Sequence, residues 1–586
     1  MVPENQTEHR ERVVLAARAA MGQVAGRVAA VPQELAAAIA DGRGDRGAVE
    51  AACRRVFGER GPLDLVLFDT DRITEYVYES SLPPVIAGAS TILRELNAEI
   101  ASRYQSQTIF SGGGEGLLLV ERGRGAGICR EIEELYWTRT DGALGVTTGF
   151  LEVAPQDFIA EGPQEDEARG GVRLVAGTQA VLARLRDRVR RRKDEVPPPR
   201  TPVDGSLPRC ISCRDRAATH PTPVPREGLP GNVLCFPCHR RWSTGKDEIA
   251  GVSFDELIET LQERYPKLGA KSSYTGFLYA DGNSMGALFG RLGSLTEIGF
   301  LSQAVSHVFE QLAERARQEA GDQLGRIEHP KRLFLSYLGG GDEAIWIIPG
   351  ALAVQIAQGL PAWLSEEVRK IPGLPELLRL WGVEDLTLGI GLVLCSHSYP
   401  VRYQYALAKE LQKNAKAMFY GRASETLRSS IDFELLTDSS PLVDDLKDAR
   451  DLAYRTEEDR FLRTCRPFDQ ESFDQLLNRM RKAREKEVAI SQLHALLAGA
   501  GESRRIFLNY LRYQIARPPA GKRYQEWLCS LGTPWIDAAR VESFFVHELP
   551  PDEKGPRAGT WIADGVQLLP FLSQLGQLGR VEKETR

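Results

Sequence analysis

Nowhere in this 586-residue chain do 18 or more apolar residues run together, so no segment reads as a helix that crosses a bilayer. The opening MVPENQTEHRERVVLAARAA interposes charge before any apolar stretch and does not read as a secretory signal. A soluble, cytoplasmic protein is the expectation. Basic charge is not in excess either. Lys+Arg 74 against Asp+Glu 80 leaves a formal net charge of −6, so no global field draws the chain onto nucleic acid, and such contact has to come from local patches or partner subunits. Histidine is scarce, at eight residues, and none is followed by Asp. Nine cysteines, an odd count in a long chain, argue against a disulfide framework. What is present is ordinary globular material, 42% hydrophobic and 26% charged, which excludes a wholly disordered or collagenous chain. The length implies about four domains.

Four of the cysteines cluster as Cys210-Ile-Ser-Cys213 and Cys235-Phe-Pro-Cys238. Two paired thiolates on tight turns suit a tetrahedral zinc site, and the Pro- and Gly-rich stretch between them needs such a staple to fold. With all four positions filled by protein the zinc is expected to be structural; two unrelated CxxC pairs are the alternative. His239, beside Cys238, is read as a bystander. Cys53, Cys129, Cys395, Cys465 and Cys529 are isolated and read mostly as buried thiols.

One pattern occurs twice. LVLFDTDRITEY from Leu65 and FLYADGNSMGAL from Phe277 are each a buried-strand run ending in an Asp, Asp69 or Asp281, with a polar residue two positions on, Asp71 or Asn283. A helical stretch follows each. Val85, Ile86, Ala89, Ile92, Leu93, Leu96 and Ile100 share one face in the first, and Ile298, Leu301, Val305, Val308, Phe309 and Leu312 in the second. Then come TIFSGGGEGLLLV (108–120) and LSYLGGGDEAIWII (335–348), each an apolar run, three glycines, an acid and another apolar run. That is a hairpin in which glycine supplies the positive φ of a tight turn. GVTTGFLEV and LGIGLVLCS add a further strand to each copy. Strand–helix–hairpin–helix–strand, twice, predicts two ferredoxin-like or palm domains in an α+β multidomain chain. This alignment sets Glu115 against Asp342 and Gly116 against Glu343. It assigns the extra length of the second copy to RQEAGDQLGRIEHP (317–330).

In that topology the first strand neighbours the hairpin, which brings Asp281 beside Asp342 and Glu343. Carboxylates about 4 Å apart repel by several kcal/mol, so the cluster predicts divalent cations. Oxygen ligands with room for phosphates suit magnesium or manganese, and two such ions could activate a 3′-hydroxyl and stabilise leaving pyrophosphate. Gly339, Gly340 and Gly341 leave the approach of a triphosphate clear, with backbone N–H groups for its oxygens. Lys409, Lys413 and Lys416 follow at helical spacing; a phosphate-neutralising lysine, with Lys416 favoured, stands against an ordinary solvated helix face. The first copy lacks the full acidic set and reads as structural or nucleotide-supporting, facing its twin across a composite pocket.

At these residues the chain resembles the large subunit of type III CRISPR effector complexes, the polymerase/cyclase-like family. The resemblance rests on YADGNSMG (279–286), LGGGDE (338–343), ALAKELQKNAK (406–416), the four cysteines between two palms, and FDTDRITEYVYESSLPPVIAGAS (68–90). It covers roughly residues 60–440 on motifs and the rest by domain order. It implies ATP as substrate, joined into cyclic oligoadenylate or related adenylylated messengers when guide RNA pairs with target RNA. It assigns catalysis and metal binding to Asp281, Asp342 and Glu343, and nucleotide contacts to Asn283, Ser284, Gly339, Gly340, Gly341, Lys413 and Lys416. The partners it implies are a small helical subunit, a guide-end-binding subunit, backbone subunits, and the guide and target RNAs. The expected division is a helical segment over 1–60, a degenerate palm over 61–200, a zinc-binding linker over 201–270, a catalytic palm over 271–440 and a helical domain over 441–586.

Two departures stand out. The family's hairpin ends in two Asp residues, whereas this one ends Asp342–Glu343. Many members begin with an HD-type nuclease, and here the absent His-Asp dipeptide and the short leader before the first palm predict none. The competing readings are a catalytically inactive scaffold subunit and a GGDEF-type cyclase using GTP. Ala344 in place of Phe, the duplication and the cysteines all weigh against the last. The basic helix end RLRDRVRRRKDEVPPPRTP reads as a solvated face, with RNA contact as the alternative.

Overall fold

The computed structural model describes residues 63–572 except 81, 106, 155–156, 158–162, 167–170, 175–176, 196–207, 222–232, 249–272, 294, 325–334, 420–426, 438–445, 457–459, 519 and 553–554. The helical segment expected over 1–60, Cys53, the Pro-rich boundary near residue 200 and the end of the polar stretch 317–330 lie outside the described residues.

The first unit runs β1 (Leu63–Thr70), α1 (Ile73–Tyr78), α2 (Pro83–Arg103), β2 (Thr108–Gly112), β3 (Glu115–Glu121), α3 (Gly125–Thr140) and β4 (Val146–Val153). Its four strands are ordered β2-β3-β1-β4, with β1 antiparallel to both neighbours. This is the ferredoxin-like palm order, set by a hairpin whose second strand pairs with the first strand of the chain. Side chains on β1 alternate between faces, and both faces are covered: Leu65 and Leu67 enter one core cluster, Val66 and Phe68 another. That is why the strand reads as a continuous apolar run. A small hairpin, β5 (Pro163–Asp166) and β6 (Gly171–Leu174), precedes α4 (Gly177–Glu195), which packs back on β4 and β1.

The four cysteines lie around β7 (His220–Pro221) and β8 (Val233–Leu234), at the start of α5 (Phe236–Glu248). Helix α5 lies against α2 so closely that a Cβ on Gly88 would meet the Arg241 carbonyl oxygen at 1.7 Å, and one on Gly245 the Pro84 carbonyl oxygen at 2.0 Å. Only paired glycines permit that approach. The cysteine element is thereby fixed to the first palm.

The second unit repeats the plan: β9 (Tyr274–Gly282), α6 (Met285–Phe289), α7 (Leu295–Leu324), β10 (Leu335–Gly340), β11 (Glu343–Pro349), α8 (Gly350–Lys370), α9 (Leu374–Leu380), β12 (Leu388–Ser396) and α10 (Val401–Ala417). Its sheet continues past β12 through β13 (Ser430–Leu435), parallel to β12, to β15 (Phe468–Asp469), in the order β10-β11-β9-β12-β13-β15. The apolar faces assigned to the two long helices are buried throughout, from Val85 to Ile100 and from Ile298 to Leu312.

The palms interlock reciprocally. Helix α7 of the second packs on β2 of the first, and α2 of the first packs on β10 of the second. Gly299 of α7 sits where a Cβ would lie 2.9 Å from the Ile109 carbonyl oxygen, and Tyr78 stacks on Tyr405 at 3.9 Å between ring centroids.

Beyond β13 come α11 (Leu446–Tyr454), β14 (Phe461–Leu462), α12 (Gln470–Glu485), α13 (Ile490–Glu502), α14 (Arg504–Ala516), α15 (Ala520–Ser530), α16 (Ala538–Phe545), β16 (Val546–Asp552) and β17 (Gly555–Thr560). Mostly helical as expected, this region also holds a three-stranded sheet, β14-β17-β16. It closes on buried Trp527, Phe545 and Trp561. Asp469 and Ser503 cap α12 and α14 by accepting hydrogen bonds from the Ser472 and Ile506 amides. An ionic cluster ties the region to the second palm: Asp432 accepts a bidentate pair from Arg450 at 2.7 and 2.8 Å, and Arg466 donates to Asp564 at 2.8 Å. Of the isolated cysteines, Cys129 and Cys395 are buried, Cys465 is half-buried and Cys529 is exposed.

Candidate active site

Register places the acids at one end of the second sheet. Glu343 on β11 is directly opposite Asp281 on β9, whose other neighbour is Gly389 on β12. Asp342 occupies the hairpin turn after Gly341, which has φ 75°, and its carbonyl accepts from the Gly282 amide at 3.0 Å. The glycines thus do what the pattern predicts at Gly341, while Gly339 and Gly340 are the last residues of β10 and pair with Ala344 and Glu343. Ser284 holds a left-handed conformation at the start of α6. Asn283 is buried: its Nδ2 donates to Thr387 Oγ1 at 3.0 Å and its Oδ1 has no partner.

Helix α10 supplies the counter-charge. Lys416 Nζ donates to Asp281 Oδ2 at 2.6 Å and to the Gly282 carbonyl at 2.8 Å, and Gln412 Nε2 donates to the same Asp281 oxygen at 3.0 Å. The missing side chain of Gly389 makes the space, since a Cβ there would lie 2.5 Å from Lys416 Cγ. Glu343 instead accepts from the Tyr279 hydroxyl at 2.8 Å. Burial, then the Asp281 charge, pushes the Asp342 carboxyl up to about 6. Burial also raises Glu343 against the opposing Tyr279 bond, and burial together with the Glu343 charge raises the Tyr279 phenol.

Two details of the geometry bear on the acids. Among the described residues, the four cysteines are the one group of three or more His, Cys, Asp or Glu side chains whose ligand atoms lie within 4.8 Å of one another. The three carboxylates share one end of the sheet without that convergence: Asp281 is held by Lys416 and Gln412, and Glu343 by Tyr279. Lys413 is also turned away from the acids, and its ammonium pairs with Glu410 on its own helix at 2.8 Å.

The first palm repeats the arrangement more closely than its sequence suggests. Glu115 is the register partner of Asp69, as Glu343 is of Asp281. The Thr70 amide donates to the Gly114 carbonyl as the Gly282 amide does to Asp342. Glu115 is therefore the counterpart of Glu343, and Gly114 stands where the second palm has Asp342; the sequence alignment was displaced by one residue, since three glycines offer no side chain to fix the register. Lys193 on α4 bonds Asp69 at 2.7 Å and Asp71 at 2.9 Å, the counterpart of Lys416, and Thr147 replaces Gly389 and donates to Asp71 at 2.9 Å. Burial draws the Lys193 ammonium down, but its two carboxylate bonds outweigh this and leave it raised; burial raises Glu115 against the nearby Arg186. The helix end read as a solvated face is thus an ion-paired one, with Arg192 on Glu133 at 2.9 Å and Arg186 3.8 Å from Glu115. The two hairpin turns meet: a Cβ on Gly341 would lie 4.0 Å from Gly113 Cα.

Sequence reasoning missed Gln412, Tyr279 and Lys193. Gln412 precedes Lys416 by four residues on one helix face, and Tyr279 precedes Asp281 by two on one strand face, so periodicity alone held both signals.

The cysteine element forms the second site. Cys210, Cys213, Cys235 and Cys238 bring their sulfurs together in a largely buried cluster, with Cys213 and Cys235 3.8 Å apart. Four thiolates in that grouping could hold zinc. Buried Arg241 donates to Cys238 Sγ at 3.0 Å and bonds the Tyr76 carbonyl and Glu79 of the first palm, which also pairs with Arg216 at 3.1 Å. His239 lies 5.0 Å from His220, ring to ring, outside the ligand set.

No curated protein matches the chain. Solved structures similar to it include the Csm1–Csm4 cassette in complex with cA4 (15% identity, 89% of this chain and 70% of that one, TM-score 0.49) and with AMPPNP (13%, 87% and 72%, 0.47), and Csm1 in T. onnurineus (14%, 90% and 72%, 0.47). Residues 274–424, which carry the acidic strand ends, the hairpin and Lys416, match the family described as Cas10/Cmr2, second palm domain. The second palm of this chain is thus similar to the second palm domain of the Cas10/Cmr2 family, and that match covers residues 274–424.

Proposed function

We propose that the second palm is a metal-dependent nucleotidyltransferase that joins ATP into cyclic oligoadenylate or a related adenylylated messenger, within an effector complex switched on by target RNA. The observation that carries this reading is the register pair Asp281–Glu343 with Asp342 at the adjoining turn. Rotating Asp281 off Lys416 and Glu343 off Tyr279 frees three hard oxygen donors for magnesium or manganese. Bound there, the ions supply Lewis-acid stabilisation of phosphoryl charge. The released Lys416 ammonium is placed to meet the same charge, and the abutting turns of the two palms bound the space in which two nucleotides would meet. The partners in this reading are the small helical, guide-end-binding and backbone subunits, with guide and target RNA reached through them. The four cysteines hold structural zinc.

The test is to incubate the assembled complex with cognate RNA, magnesium and labelled ATP. Product that disappears with Asp342→Ala is expected; no product from the parent complex refutes the reading. A scaffold role is the second reading, favoured by one observation: the Asp281–Lys416 pair has a twin, Asp69–Lys193, in a palm without the hairpin Asp. A complex that confers immunity unchanged by Asp281→Ala would establish it.

A further inference from the structure

We propose that a second ligand site lies away from the strand-end acids, in the cavity between α10, α11 and α12, and that it takes the phosphate groups of a nucleotide. The cavity encloses about 720 Å³, within the range of small-molecule and cofactor sites.

Two arginines on its wall differ in what they lack: Arg479 an anion, Arg466 a partner for one nitrogen. Arg479 of α12 donates to His547 Nε2 at 3.1 Å and lies over the rings of Phe544 and Trp561, at 4.6 and 5.2 Å to the centroids. Among the described residues no carboxylate pairs with it, and burial pulls its guanidinium down to about 10. His547 offers no negative charge, and burial with the Arg479 charge lowers its own pKa. A guanidinium removed from water without an anion is unfavourable, so the fold keeps it there at a standing cost unless an anion arrives.

Arg466 is the second. Its side chain is fully buried and paired with two carboxylates, Asp564 at 2.8 Å through Nε and Glu434 at 3.2 Å through Nη1, which also donates to the Phe433 carbonyl at 2.7 Å; its Nη2 has no partner. It lines the same cavity. Arg450 nearby has no such donor, since Asp432, Glu434 and the Phe433 carbonyl take its nitrogens. A planar, fork-shaped donor is the group that recognises phosphate oxygens in pairs. Phe468 and Trp561, also on the wall, give an apolar surface for a base. Helix α10 separates the two sites: it turns Gln412 and Lys416 to Asp281, and Lys413 and Asn414 to the cavity.

The test uses the full chain carrying Asp281→Ala and Asp342→Ala, so that binding at the palm acids does not contribute. Titration calorimetry with ATP is expected to show saturable binding that Arg479→Gln weakens about tenfold or more, as loss of a charge-assisted bond implies. Hydrogen exchange on the chain with Arg479 intact is expected to show ATP protecting 470–485 and 546–560, a readout that holds even if the substitution disturbs folding. Inorganic tripolyphosphate binding as tightly as ATP would overturn the nucleotide and assign the site to free polyphosphate. Absence of ATP binding, or binding unaffected by Arg479→Gln with no protection of these segments, overturns the site itself.

Discussion

Replacing Lys416 with Met removes the ammonium that bonds Asp281 in the second palm. The pair is 2.6 Å long, with side chains 13% and 20% exposed. Opposite charges about 4 Å apart at an effective dielectric near 20 attract by about 4 kcal/mol, and breaking a fully buried pair costs about 3–5 kcal/mol. Partial exposure lets water rehydrate the orphaned carboxylate, so a loss of about 2 kcal/mol is the expectation. For an unfolding unit of 150–250 residues this lowers Tm by about 4–8 °C. Manganese should then reverse the sign of the comparison. In the parent chain an ion has to displace the ammonium from Asp281; in Lys416→Met it meets only the neutral donors Gln412 and Tyr279. If removing the competitor tightens binding tenfold, saturating manganese returns about 1.4 kcal/mol more to the variant than to the parent. Differential scanning fluorimetry against manganese concentration reads both quantities. An unchanged Tm without metal, together with superimposable manganese curves, would show that Lys416 is not the counter-ion of the site, and the proposed exchange of lysine for metal would be wrong.

The other expectations concern the cysteine element and its seat. Purified chain should contain one equivalent of zinc by atomic emission, and Cys238→Ser should lose it; full occupancy in that variant would mean that the four sulfurs are not the ligand set. Gly88→Val places a Cβ 1.7 Å from the Arg241 carbonyl oxygen, in backbone that cannot yield. Helix α5 should lift from α2, seen as faster proteolysis within 208–248, whereas Gly127→Ala, with nothing within 4 Å, should leave the digestion pattern unchanged.

Legibility in the sequence followed the strength of local periodicity. The two palms were readable because strand runs ending in Asp69 and Asp281, and helix faces such as Val85 to Ile100, are patterns that burial on a single sheet imposes. The Asp281–Glu343 pairing followed once the hairpin was placed. What stayed hidden depended on contacts between distant segments. Lys193 sits in an Arg- and Lys-rich helix end that reads as solvated, and only the return of α4 to β1 reveals its bonds to Asp69 and Asp71. The displaced alignment of Glu115 has a different cause: GGGE and GGDE match equally well one residue apart, and the inter-strand register that decides between them is a property of the folded sheet. The small sheet of β14, β16 and β17 escaped notice because β14 is two residues long, too short to carry an alternation.

The duplication also shows which part of the site diverged. Both palms keep the strand-end Asp, the facing Glu and a Lys from the helix behind the sheet. They differ at Asp71 against Asn283 and at two further places: Gly114 against Asp342, and Thr147 against Gly389. Neither exchange touches the core that holds the sheet together. The first takes the acid away from the hairpin turn, while Asp71 places one after the strand end instead, where Lys193 bonds it at 2.9 Å. The second fills the space beside the Asp with a hydroxyl that bonds Asp71 at 2.9 Å. In the first palm Lys193 therefore bonds Asp69 and an Asp71 already steadied by Thr147, and an ion arriving there competes with that network. In the second, Lys416 faces Asp281 across a glycine, with Asp342 pushed towards protonation nearby. Withdrawing the lysine breaks one ion pair in the second palm, at Asp281, and two in the first, at Asp69 and Asp71. In the proposed reading, the exchange of lysine for a divalent ion therefore belongs to the later copy, whose hairpin turn rests against that of the earlier one.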